Sequence, residues 1–255
     1  MDSNKSFVEK GFSSAVLHIL AMFFMLCDHS YYTVFSDYEF LTCIGRLAFP
    51  IFAFMVVEGF YHTRDVKKYL KRLLVFGLIS EIPFNLMLTA QPFYPFHQNV
   101  MFTFLLGLNM LRLLEREKLE FSKQNWVFPL LRSGAIVLLF SCLALVTFVD
   151  YDMKGILMIL TFFIFRQNTW GARLGQLICM YYINCELVGG LMYPVTIGNM
   201  MIEFPQQGFA LLSLPIIWMY NGKKGYNKTW FKYFCYGFYP AHALILFLLA
   251  FFLLQ

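Results

Sequence analysis

Two stretches of this 255-residue chain, residues 11–27 and 233–255, contain no Asp, Glu, Lys or Arg. A bilayer core is about 30 Å thick, and a helix needs roughly 20 predominantly apolar residues to cross it. Further apolar runs centre on 47–57, 73–90, 99–114, 127–149, 155–165, 174–185 and 209–220. They are continuous rather than alternating, which favours helices over the strands of a barrel. Hydrophobic residues make up 59% of the chain and charged ones 14%, against about 45–50% and 25% in soluble domains. So much apolar side chain cannot be hidden in a core of this size. Disorder requires the opposite bias. The expected fold is an all-α polytopic membrane protein, one domain over 1–255, with nine or ten transmembrane helices. Spans in that number leave no room for a separate soluble domain, so any chemistry lies in the bundle or its loops. Gly189-Gly190, Pro194, Gly198 and Pro205 interrupt the stretch 187–208. That predicts a bent or re-entrant segment, tolerable only where protein buries it.

Positive charge orients such a bundle. Lys5, Lys10, the loop carrying Arg64, Lys67, Lys68, Lys71 and Arg72, and the cluster Lys223, Lys224, Lys228 and Lys232 are expected in the cytoplasm. The N-terminus is then cytoplasmic, and Asp28-His29 falls in the outer half. The net charge of +5 reflects these loops and anionic lipid, so no nucleic-acid partner is expected. The six cysteines are scattered without a C-x-x-C pair. They read as small apolar residues, and no metal site is expected. Residues 1–10 are polar and no cleavage motif follows, so no signal peptide is expected.

Ionisable groups in a bilayer cost about 2.5–3.5 kcal/mol on insertion scales and are functional candidates by default. Asp28 and His29 close the first span. A histidine in a dry site can act as general base or carry an acyl group. The alternative is a helix end at the headgroup level. Adjacent helical residues point about 100° apart, so the two need not touch. Arg46 opens the second span and can grip a carboxylate or phosphate. Alternatively it pairs with Glu81, since helical rise puts Glu58 roughly 18 Å away. Glu58 and His62 close that span, Glu81 lies within the third, and His97 and Asn99 open the fourth. Tyr239 and His242 lie in the last. His18 is expected to face the bundle or the interface. No Walker, dinucleotide, G-x-S-x-G or H-E-x-x-H motif is present.

The segments Leu26-Cys27-Asp28-His29, Gly45-Arg46-Leu47-Ala48-Phe49-Pro50, Glu58-Gly59-Phe60-Tyr61-His62-Thr63-Arg64-Asp65, Glu81-Ile82-Pro83-Phe84, Gln207-Gly208-Phe209-Ala210 and Tyr239-Pro240-Ala241-His242 resemble the TraX family. The resemblance runs in order over nearly the whole chain. More loosely, the chain is similar to the transmembrane acyltransferases. The resemblance implies a bacterial inner-membrane N-acetyltransferase, drawing on cytosolic acetyl-CoA and acting on a conjugative pilin N-terminus. The acceptor can equally be another peptide, a pilin-like protein or a small molecule with an amine or hydroxyl. It further implies His29 as base or acyl carrier with Asp28 orienting it. Arg46, Arg64, Lys68, Arg72, Lys223 and Lys224 become the grip on the CoA phosphates. Glu58, His62, Glu81, His97, Asn99, Tyr239 and His242 line the substrate tunnel, with His97 and His242 as further candidate bases. Asn99, Tyr239 or Arg46 would stabilise the oxyanion. The alternative function is a transporter with a midplane site built from Glu81, His97 and Glu186; another is an assembly factor without catalysis.

Overall fold

The computed structural model describes residues 11–120, 126–197 and 200–253; Lys5, Lys10 and Gly198 lie outside them. Helix α1 (Ser14–Thr33) starts where the Ser13 hydroxyl accepts from the Val16 N–H. It runs past Asp28 and His29, where the sequence suggested an end, because both find partners on neighbouring helices. Helices α2 (Phe40–Gly45) and α3 (Ala48–His62) are joined by a tight turn at Arg46–Leu47. Together they form a 23-residue apolar span. Helix α4 (Val66–Thr89) is capped by Asp65, which accepts from the Lys68 N–H, and it continues through Pro83.

Next come α5 (Val100–Glu120), α6 (Val127–Val146), α7 (Asp152–Ile164) and α8 (Trp170–Tyr181). Helix α8 continues as a π-helix over Tyr182–Val188. A hairpin of β1 (Met192–Ile197) and β2 (Met200–Pro205) follows, pairing Met192 with Pro205 and Tyr193 with Phe204. A 3-10 helix (Gln206–Leu212), α9 (Ser213–Trp218) and α10 (Thr229–Leu253) complete the described chain.

Contacts fix the directions. Phe49 stacks on Tyr151 and Tyr61 on Phe163, so α3 and α7 run the same way. Tyr61 donates to Glu115 and Thr103 to the Asp150 carbonyl, so α5 runs with them. Helices α1, α4 and α10 run oppositely: Asp28 meets Arg46, Tyr69 approaches Gly59, and His29 meets His242.

Among the described residues, five helices are long and apolar enough to cross a membrane: α1, α2–α3, α4, α6 and α10. Helix α5 carries Arg112, Glu115, Arg116 and Glu117 in its second half. The elements α7, α8 with its π-helix, and the 3-10 helix with α9 are shorter traverses. Against the nine or ten spans expected from sequence, the described residues give these five full-length apolar helices together with α5 and the shorter traverses packed among them. The stretch 187–208, expected to be bent or re-entrant, leaves the π-helix at Val188 and its described residues form a hairpin. Pairing each strand with the other satisfies backbone groups that a bent coil would leave open.

Helix α3 is the centre. From Ala48 to Glu58 every residue except Phe52 is buried, as expected of a helix apolar on all sides. Helix α10 turns Tyr239, His242, Ala243 and Leu246 inward. This i, i+3, i+4, i+7 stripe packs on α4 and α1.

Candidate active site

His29 and His242 face each other where α1 meets α10. Nδ1 of His29 lies 2.7 Å from Nε2 of His242. The rings are nearly parallel, with centroids 4.9 Å apart. Tyr239, one turn before His242, stands edge-on to both, at 6.4 Å from His29 and 5.5 Å from His242. His242 and Tyr239 are buried, and His29 is partly so. The local reason is spacing: positions 239 and 242 share the inward stripe of α10, and 25 and 29 share one face of α1. The Tyr239 hydroxyl lies beside the Val100 backbone N–H without a hydrogen bond of ordinary geometry.

A cavity of about 330 Å³ opens below this cluster. Lys224, Lys228, Lys232, Arg72 and His62 lie on its wall towards one face of the bundle. Phe52, Met55, Val56, Leu73 and Phe104 line its apolar part, and Met25, Val100 and Tyr239 its other end. Met25 is one helical turn from His29. The cavity therefore runs from a basic mouth through an apolar shaft to Met25, Val100 and Tyr239; His29 and His242 do not line it, and Tyr239 stands between it and them. Arg72 sits over the Tyr69 ring at 5.5 Å, and its Nε has no hydrogen-bond partner.

The remaining candidates fall into separate groups. Asp28 is turned away from His29. Its carboxylate accepts from Arg46 Nη2 at 2.7 Å and from the Thr42 hydroxyl at 2.8 Å. Arg46 also donates to Tyr32 and to Gln207, and Gln207 donates to Asn184 on the π-helix. A Cβ at Gly45 would fall on Asp28, so only glycine lets α2 approach this closely. Arg46 thus lies at the opposite end from the basic mouth, its charge taken by Asp28. It neither pairs with Glu81 nor joins the phosphate-binding group inferred from sequence.

Glu81 instead accepts from Asn99 Nδ2, which also donates to the Gly77 carbonyl. His97 lies 3.4 Å from Asp150 in the loop beyond α6. That hydrogen bond holds its imidazole above the ordinary histidine value, against partial burial. Glu58 accepts from Arg166 at 2.7 Å, and His62 lies 3.6 Å from the same carboxylate. Of the basic residues singled out from sequence, Arg72 and Lys224 line the cavity. Arg64 and Lys223 are exposed beside it, and Lys68 pairs with Asp65 at 3.6 Å. Glu186 stands exposed on the π-helix, so it does not build a buried midplane site. His18 bonds the Ser14 carbonyl and lines the cavity wall.

Sequence reasoning missed Arg166 and Asp150, which lie in loops far along the chain from Glu58 and His97. It also missed Gln207. It listed His242 without its partner. A signal for that pair existed: His29 closes the uncharged run 11–27 beside Asp28, and His242 interrupts the uncharged run 233–255.

The profile of the family described as TraX protein matches residues 13–250. The chain belongs to the TraX family. Over 247 residues it is 28% identical to the probable fimbrial assembly protein FimC, serogroup H1, of Dichelobacter nodosus. That alignment covers 92% of this chain and 94% of the relative. No solved structure matches. The TraX match embraces every element that forms the histidine pair and the cavity. This TraX-family protein is thus a multi-pass helical membrane protein with a cavity that runs from a basic face to Tyr239, beside the His29–His242 pair.

Proposed function

We propose that the chain is a membrane-embedded acetyltransferase. In this reading acetyl-CoA enters from the basic face and the acetyl group passes at His29 to an amine or hydroxyl acceptor. The observation that carries it is the cavity from Lys224, Lys228 and Lys232 to Met25 and Tyr239, the tyrosine ring standing edge-on to both His29 and His242. Its parts suit this donor: cations for phosphates, an apolar shaft for the pantetheine arm, and Tyr239 at the end with His29 behind it.

The chain's own groups have distinct tasks. His29 takes the proton from the acceptor as its nitrogen or oxygen attacks the thioester carbonyl. The carbon–sulfur bond breaks, and the CoA sulfur leaves with the proton that His29 gives up. Tyr239 is the suitable donor to the developing oxyanion. Its hydroxyl has no other hydrogen bond, whereas Arg46 is held by Asp28 and Asn99 by Gly77 and Glu81. Asp28 does not orient His29 directly; it locks α1 to α2 through Arg46.

By the positive-inside rule the basic face is cytoplasmic in the bacterial inner membrane. That would place the end near Asp28 and Asp150 outside, where an acceptor arrives. The fimbrial assembly name of the relative makes a pilin-like N-terminus the acceptor to try first. The test is acetyl transfer from acetyl-CoA to such a peptide by purified protein, read by mass spectrometry. Transfer by wild type and none by His29→Ala, with both eluting as folded protein, supports the reading. Equal transfer by both removes it.

A further inference from the structure

His18, His62 and His242 each place Nδ1 within 2.8–2.9 Å of the carbonyl four residues earlier. His29 is different. Its Nδ1 bonds no carbonyl and lies 2.7 Å from Nε2 of His242. The hydrogens follow from this. The Phe238 carbonyl can only accept, so Nδ1 of His242 must carry a hydrogen. A neutral His242 then has a bare Nε2, which can only accept. Nδ1 of His29 must therefore donate to it, and the lone pair of His29 is on Nε2. A doubly protonated His242 would reverse this, but it would bury a cation in a site 3% exposed, stacked on the Phe238 ring at 5.0 Å.

We infer that His242 is a positioning residue: relayed from the Phe238 carbonyl, its Nε2 fixes His29 in the Nδ1–H tautomer and makes Nε2 of His29 the reacting nitrogen. Free imidazole side chains favour a hydrogen on Nε2, so the arrangement has to be imposed. It also excludes His242 from serving as a second base, because both its nitrogens are engaged. This deepens the acetyltransferase reading and rests on it for the word "reacting". The tautomer itself does not depend on which donor is used.

The experiment is nitrogen NMR of histidine-labelled protein in detergent, with His29 assigned by loss of its signals in His29→Gln. Three forms are compared: wild type, His242→Gln and His242→Ala. A glutamine amide oxygen can take the place of Nε2 as acceptor, and alanine cannot. Wild type and His242→Gln are expected to show protonated Nδ1 and bare Nε2 on His29. His242→Ala is expected to lose that signature and at least about tenfold in acetyl transfer, with His242→Gln recovering most of it. Should His242→Gln fail to fold, the wild-type spectrum alone decides the tautomer. A hydrogen on Nε2 of His29 in wild type overturns the inference, as does an unchanged His29 spectrum in His242→Ala. If the tautomer is as stated but no form transfers acetyl, the positioning stands and the acetyltransferase reading falls.

Discussion

His29 and His242, 213 residues apart in sequence, meet with 2.7 Å between ring nitrogens. The contact ties the first described helix to the last, one helical turn beyond Met25 in the wall of a cavity that starts among lysines. Tyr239 stands beside both rings.

The tyrosine hydroxyl is the feature most open to a conservative test. Tyr239→Phe keeps the ring and its packing and removes only the hydroxyl proposed as oxyanion donor. Loss of one such donor costs about 10²–10³ in kcat. The expected result is a fall of that order with KM for acetyl-CoA within about threefold, measured by CoA thiol release.

The lysines at the mouth should act on binding and not on turnover. If each contributes about 0.5–1 kcal/mol to holding phosphate, the triple change Lys224→Ala, Lys228→Ala and Lys232→Ala raises KM roughly ten- to a hundredfold. The wild-type KM should rise with ionic strength, and that of the triple variant much less. A fall in kcat at unchanged KM would place the donor elsewhere.

Asp28 and Arg46 are 12–16% exposed at the side chain, so the pair is largely buried. Removing one partner strands the other charge, at a cost of about 3–5 kcal/mol. Arg46→Met is expected to lower the melting temperature by on the order of 10 °C. Adding Asp28→Asn should recover part of that, because the stranded carboxylate is gone. A double variant no more stable than Arg46→Met would show that the charge was not the cause.

His97 gives a pH-dependent signature. Its hydrogen bond to Asp150 raises its folded value above that of the unfolded chain. The stabilisation is thus full below the unfolded value of about 6.5 and disappears as pH rises through the folded one. His97→Gln should lower the melting temperature more at pH 5.5 than at pH 8.5. The side chain is 43% exposed, so solvent screens the effect and it will be small. A larger deficit at pH 8.5 would reverse the assignment.

The sequence carried the membrane architecture because an uncharged run such as 233–255 has few other fates. It also carried the glycine and proline break after Val188, though not the hairpin it becomes. Asp28, His29, Glu58 and His242 were legible as costly residues in apolar surroundings, since desolvation acts on a residue wherever its partner lies. The partners were not legible. Arg166 reaches Glu58 across 108 residues, and Arg46 selects Asp28 rather than Glu81 because Gly45 lets two helices touch. The lengths of the traverses were not legible for a related reason: buried ones such as α7 need neither the length nor the uniform apolarity of a lipid-facing span.

The central claim is that an acyl thioester reaches His29 from the basic face. Sealed bacterial membrane vesicles of both orientations, given acetyl-CoA from outside and assayed for released CoA, test it most directly. Release is expected only where the cytoplasmic face is outward, and none from His29→Ala vesicles. Release from both orientations, or undiminished release from His29→Ala, would contradict it.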